Sequence, residues 1–183
     1  MLSPTTLRYL KVTSDLKGLF GSNIKRVAEI GCGYGGQALL NDQLLDVNHV
    51  TLFDLPFVNK LIARYLNSML FNGAYKVTTI NESLPENYDL VISNYAFSEL
   101  PQVLQVKYIN KIIVNSKSGY LTMNSGLLGE RSLGKLSFNL LEKMLPPFEI
   151  YEEVPNTYEH NYIIVWGHNK EFAEKYLIRK IIK

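Results

Sequence analysis

Apolar and polar positions alternate along the chain between short hydrophobic runs and stretches with helical spacing. Residues 27–30, 49–53, 75–80, 88–93 and 119–123 are compact apolar runs, rich in β-branched residues, and read as buried strands. Helical segments separate most of them. One opens at Ala38-Leu39-Leu40. A second follows Pro56, which suits a first helical turn, and carries Val58, Leu61, Ile62, Tyr65, Leu66, Met69 and Leu70 at helical period. A third runs from Pro101 to about Asn115, with Leu104, Tyr108 and Ile112 on one face. This alternation predicts an α/β fold whose parallel sheet is covered by helices on both faces.

The two ends break the pattern. Leu7, Tyr9, Leu10, Val12, Leu16, Leu19 and Phe20, with start signals at Ser3-Pro4 and Thr5-Thr6, predict one or two short helices closed by Gly21-Ser22-Asn23. These should lean over the mouth of the sheet. Residues 132–145 read as a helix stopped by Pro146-Pro147. Residues 148–154 and 162–166 read as strands, and their connection leaves no room for a crossover helix, so they are expected to be antiparallel neighbours. Residues 170–183 form an amphipathic helix expected to cover the domain's own surface. The organisation is a single domain over residues 1–183: a helical cap (1–23), a seven-stranded, mostly parallel core (24–168) and a helical tail (169–183).

Composition narrows the function. The length, 183 residues, suffices for one complete α/β core. A net charge of +2, with no basic run, argues against a nucleic-acid partner. No apolar run approaches the ~20 residues of a membrane span, and no signal pattern opens the chain, so a cytoplasmic setting is expected. Cys32 is the one cysteine, which excludes an intrachain disulfide and a cysteine-based zinc site. It reads as a small packing residue. No clustered carboxylate pair calls for a metal. Most of the twelve tyrosines read as amphipathic packing, with stacking on sugar or adenine rings as the alternative.

The chain is organised around residues 26–37, where an apolar strand runs into Gly31, Gly33, Gly35 and Gly36 and then a helix. Glycines at such a turn permit positive φ and close backbone approach, and the helix start adds unpaired N–H groups. Two ligand classes compete. Gly31-x-Gly33-x-x-Gly36 with Asp54 matches the dinucleotide fingerprint of an NAD(P)-dependent oxidoreductase. Glu29 to Gly35 resembles the Glu-x-Gly-x-Gly-x-Gly form of class I S-adenosylmethionine-dependent methyltransferases. Glu29 would attract an ammonium group and repel a diphosphate, so the methyl-donor reading is preferred.

Ligands of open parallel sheets bind at the carboxyl ends of the strands. Asp54 is placed to hold ribose hydroxyls, or to cap the following helix. Asn81, Glu82 and Ser83 would face adenine, or form an ordinary turn. Residues 93–99 set Ser93, Asn94, Ser98 and Glu99 among Tyr95 and Phe97; Asn94 and Tyr95 fall where a sulfonium would lie, and an aromatic face attracts such a cation. Glu99 is a base, an acceptor ligand or a helix cap. His160, on the loop between the last two strands, is the first choice of base for deprotonating an alcohol, against the plainer account of an incidental surface residue. His49 and His168 fit that role less well. Arg8 pairs with a carboxylate of donor or acceptor, or is simply exposed.

With these residues placed, most of the chain resembles the sugar O-methyltransferase family within class I. The similarity lies in Thr6-Leu7-Arg8-Tyr9, Glu29 through Gln37, Asp54-Leu55-Pro56, Ser93 through Leu100 and Gly119 through Asn124. Cys32 stands where glycine is expected in many relatives. The resemblance implies a Rossmann-like methyltransferase fold and methylation of a sugar hydroxyl, such as that of a deoxyhexose (rhamnose, for example) in a glycan. It also implies a domain of the kind found alone or fused to glycosyltransferases. A donor-binding module without turnover is the non-enzymatic alternative. Together the loops and the resemblance assign Glu29, Gly31, Cys32, Gly33, Tyr34, Gly35, Gln37, Asp54, Leu55, Asn81, Glu82, Ser83, Ser93, Asn94 and Tyr95 to the donor. Arg8, Tyr9, Ser98 and Asn124 go to the acceptor, and His160 and Glu99 to catalysis.

Overall fold

The computed structural model describes residues 3–21, 24–82, 86–124, 134–158 and 161–176. Ser3 opens the chain as an N-cap, its hydroxyl accepting from the Thr6 N–H ahead of Pro4, and the first element is one continuous helix, α1 (Pro4–Phe20). Of the one or two helices expected, one forms, because nothing interrupts the face that buries Val12, Leu16 and Leu19; Gly21, at φ +68°, ends it.

The core then alternates as its pattern predicts: β1 (Arg26–Ile30), α2 (Gly36–Leu44), β2 (His49–Phe53), α3 (Pro56–Ser68), β3 (Ala74–Thr78), β4 (Tyr88–Asn94), α4 (Ala96–Glu99), α5 (Gln102–Lys111), a short 3₁₀ turn (Ile113–Asn115) and β5 (Ser116–Met123). The described remainder is α6 (Phe138–Met144), β6 (Glu149–Glu152), β7 (Tyr162–Trp166) and α7 (Lys170–Tyr176). Among these helices none is long and apolar enough to cross a membrane.

The strands form one seven-stranded sheet in the order β3-β2-β1-β4-β5-β7-β6. β1 pairs in parallel with both β2 and β4, so the strand order reverses there and opens a crevice at their carboxyl ends. β7 runs antiparallel to β5 and β6, as the short connection between the last two strands requires. One face packs Val12 and Leu16 of α1, Ala38 of α2, Ile62 and Leu66 of α3 and Ala173 of α7. The other packs Phe97 of α4, Tyr108 and Ile109 of α5 and Leu141 of α6. Helices therefore cover both faces.

Among the differences from expectation, two boundaries and one added helix bear on the site. β3 ends at Thr78, not residue 80: the last bond joining it to the β2 side runs from the Asp54 N–H to the Thr78 carbonyl at 3.2 Å. Thr79 and Ile80 line a cavity beyond the strand's end. The helix expected from about residue 132, a start that lies outside the described residues, is seen from Phe138; Gly134 adopts φ +81° and the chain turns there. Helix α4 was not anticipated at all, and it positions the site.

Candidate functional site

Strand β1 delivers the chain to a turn that only glycine builds easily. Gly31 (φ +74°) donates to the Phe53 carbonyl at 2.8 Å, and a Cβ there would lie 2.0 Å from the Cβ of Ala96. Gly33 (φ +56°) donates to the Asp54 carboxylate at 3.1 Å. Cys32 turns its thiol inward, toward the Glu29 and Phe53 carbonyls at 3.3 and 3.6 Å. Burial, then the nearby Glu29 and Asp54 charges, pushes that thiol well up, so it packs and does not attack.

Glu29, one residue before Ile30, is 2% exposed. Its Oε2 has no hydrogen-bond partner among the described residues. Burial, with a smaller contribution from Asp54, pushes its carboxyl up to about 8. A buried carboxylate oxygen with no partner, beside a left-handed glycine turn, is chemically suited to a cationic or N–H donor ligand. Gln37 is committed to the protein: its amide nitrogen reaches Thr13 Oγ1 and Asn41 Oδ1, both at 2.9 Å, and so fastens α2 to α1. Tyr34 packs between Tyr9 and Tyr65, with ring centroids at 6.1 and 5.0 Å.

A cavity of ≈ 420 Å³ opens beside this turn, with Gly31, Asp54, Leu55, Asn81 and Glu82 among its lining residues. Leu100, Leu104 and Tyr108 supply an apolar wall. A few polar groups set in carbon suit an adenosine-sized ligand. Asp54 does not cap α3 as allowed above; the N-cap position is Leu55, and the carboxylate instead ties down the Leu55 N–H at 2.8 Å and the Gly33 N–H. Asn81 accepts from Lys107 at 3.1 Å. Ser83 lies outside the described residues.

After β4 the chain folds back sharply. Ser93 is fully buried, donating to the Ile30 carbonyl (2.8 Å) and accepting from Phe97 N–H (3.0 Å), and thereby splices α4 to β1. Asn94 reaches Gln37 Oε1 at 3.5 Å. Tyr95 adopts φ +68°, the one such non-glycine among the described residues, a conformation that persists only where neighbours enforce it. Its hydroxyl donates to Glu153 and meets Thr157 Oγ1 at 3.1 Å, while the Arg8 guanidinium lies 5.5 Å from its ring centroid. Ser98 Oγ binds the Tyr95 carbonyl and Asn124 Oδ1, each at 2.7 Å, and Asn124 in turn donates to Glu99 at 2.6 Å. Glu99 is exposed and does not cap the following helix, whose N-cap is Pro101.

Arg8, Tyr95, Glu99, Asn124, Thr157 and Asn161 share an open mouth with Tyr158. The expected acceptor residues Arg8, Ser98 and Asn124 therefore meet around Tyr95, while Tyr9 turns toward Tyr34. His160 lies outside the described residues. His168 pairs with Glu149 at 3.1 Å, away from this mouth.

Glu153 is the residue that pattern reading missed. It is 7% exposed and accepts from Tyr95, from the Thr157 N–H and hydroxyl at 3.0 and 2.8 Å, and from Asn161 at 2.8 Å. Burial works to raise its carboxyl, but these donors outweigh burial and hold it below its ordinary value. The available signal was a carboxylate at a strand's end followed by Thr157 and Asn161 one and two turns' spacing later.

No protein-family model and no curated protein matches the chain. Solved structures share its fold. The mitomycin 7-O-methyltransferase MmcR aligns at TM-score 0.62 and 17% identity, over 88% of this chain and 53% of that one, so the present chain spans about half its length. The magnesium protoporphyrin IX methyltransferase ChlM from Synechocystis PCC 6803, with bound SAH, aligns at 0.61 and 14% identity, over 88% and 82% of the two chains. The N-methyltransferase NodS from Bradyrhizobium japonicum WM9 aligns at 0.61 and 12% identity, over 90% and 94%. The fold is the Rossmann-like methyltransferase fold, as the resemblance implied.

Proposed function

We propose that this chain is an S-adenosylmethionine-dependent methyltransferase that methylates a hydroxyl group of a sugar, a deoxyhexose within a glycan being the expected acceptor. One observation carries the reading: the Glu29 carboxylate, buried beside the glycine turn, has an oxygen without a partner. An ammonium group would satisfy it and favour its charged form, which a diphosphate would disfavour. The sheet favours the same choice, because the dinucleotide-binding order of six parallel strands has no counterpart of the antiparallel β7.

When bound, S-adenosylmethionine supplies an electrophilic methyl group attached to sulfur. Glu29 would hold its ammonium, Asp54 its ribose hydroxyls and Asn81 with Glu82 its adenine, the last three residues lining the first cavity. The chain's contribution to rate is largely positioning, which can be worth roughly 7–11 kcal/mol. Arg8, Tyr95, Glu99 and Asn124, which converge at the mouth, would fix the acceptor hydroxyl. The hydroxyl proton must pass to a base, and His160 and Glu99 are the groups proposed to take it. The sugar assignment rests on the similarity of residues 94–100 to sugar O-methyltransferases and on the mix of carboxylate, amide and aromatic groups at the mouth. Incubation with S-adenosylmethionine and a panel of methyl glycosides, read by mass spectrometry, tests it. Methylated rhamnoside is expected, and methylation of none of the panel contradicts the sugar reading.

A further inference from the structure

A second cavity, of ≈ 470 Å³, lies beneath α1 and is separate from the one beside the glycine turn. Its walls are mostly carbon: Pro4, Leu7 and Val12 of the first helix, Val154 and Pro155 of the β6–β7 loop, and Ile163 of β7. None of the turn glycines lines it. It shares Arg8, Tyr95 and Thr157 with the polar mouth, so the two spaces adjoin along these side chains.

That adjacency is informative. A free sugar needs a shallow polar site with an aromatic wall, which the mouth already provides. An apolar chamber behind it adds nothing for a ligand with no apolar part, and a chamber of this size and lining is typical of small-molecule sites. Lys11, Asn94, Thr122 and Glu153 also line the cavity. Arg8 and Thr157 stand where the two spaces meet, and Tyr95 forms part of both walls. The junction therefore suits a ligand whose polar head ends there.

Resting on the methyltransferase reading above, we propose that the acceptor is amphipathic: a glycoside whose sugar occupies the mouth and whose alkyl, prenyl or other apolar aglycone occupies the cavity under α1. The cavity makes the enzyme selective for sugar already linked to an apolar carrier over free sugar. A reaction that joins sugar to such a carrier must then supply its substrate.

The test compares methyl and hexyl α-rhamnoside, below micelle-forming concentration, by calorimetry with and without saturating S-adenosylhomocysteine. The hexyl glycoside is expected to bind at least about tenfold more tightly, a conservative fraction of what burial of the added methylenes yields. Leu7→Trp, at a half-exposed position outside the buried core, and Ile163→Phe as a second variant should each abolish that gain while S-adenosylhomocysteine still binds. Equal affinities, no binding of the hexyl glycoside, or a gain that survives both substitutions overturns the proposal. Loss of S-adenosylhomocysteine binding in folded filled-cavity variants also overturns it, by assigning the cavity to the donor. Failure of the unmodified protein to bind S-adenosylhomocysteine sinks the donor reading instead, and the comparison made without it still reports on the cavity.

Discussion

The Tyr95 hydroxyl donates to the Glu153 carboxylate, 58 positions further along the chain. The contact joins the loop after β4 to the loop between β6 and β7, across the mouth of the site. It also accounts for a costly backbone. Tyr95 holds φ +68° while its ring is pinned between Arg8 and the Glu153–Thr157 pair.

Removing the hydroxyl should loosen this junction. Tyr95→Phe leaves a buried carboxylate short of one donor, which costs about 1–3 kcal/mol. The sign with pH is defined: Glu153 is held below its ordinary value, so its contribution is full above about 4.5 and is lost as pH falls through that value and below. Urea unfolding midpoints measured from neutral pH to about pH 3 should therefore show a smaller acid-side loss in Tyr95→Phe than in the unmodified protein. Identical midpoints at all pH values would mean the contact contributes nothing.

Glu29 works in the opposite direction. Its carboxyl is raised to about 8, so in the unliganded protein the folded state holds a proton that the unfolded state releases above about pH 4.5. Stability should fall by roughly 1.4 kcal/mol per pH unit from this group as pH rises from ~5 to ~8. Glu29→Gln removes that component, and its stability should be flatter over the same window. Denaturant titrations at three pH values between those limits suffice, and parallel curves for the two proteins would contradict the assignment.

The glycine turn allows a sharper comparison. Gly31→Ala places a Cβ 2.0 Å from that of Ala96 and also strains φ, whereas Gly33→Ala meets nothing within 4 Å and suffers only the strain of its positive φ. Gly33→Ala should cost about 1–2 kcal/mol. Gly31→Ala should cost more and displace α4, weakening binding of S-adenosylhomocysteine at least tenfold. Equal losses in thermal stability for the two variants would show that the Gly31–Ala96 approach does not matter.

The proposed bases separate by kinetics. His160→Ala should lower kcat by roughly 10²–10⁴ if it takes the acceptor proton, with donor affinity unchanged. Glu99→Gln, which keeps a partner for Asn124, should chiefly raise the acceptor KM. A kcat unaffected by His160→Ala removes that residue from the chemistry, and a large kcat loss in Glu99→Gln transfers the role to the carboxylate.

Much of the frame was legible because it depends on local pattern. Apolar residues 27–30 running into spaced glycines specify a strand and turn with little help from the rest of the chain. The antiparallel β7 follows from a connection too short for a crossover helix. What escaped was tertiary. Helix α4 is a single turn, too short to display a period, and its start relies on Tyr95 in a conformation no propensity assigns. Gln37 falls within the ligand motif, yet its position against Thr13 and Asn41 makes it a fastener between helices. Glu153 reads as an ordinary acid beside Glu152 until Tyr95 and Asn161 are brought to it by the fold.

The most direct measurement is a calorimetric titration of S-adenosylhomocysteine and of NADH into the unmodified protein and Glu29→Gln. Micromolar binding of S-adenosylhomocysteine, weakened at least tenfold by the substitution, with no binding of NADH, is the predicted result. Binding of NADH but not S-adenosylhomocysteine, or S-adenosylhomocysteine affinity indifferent to Glu29→Gln, would contradict it.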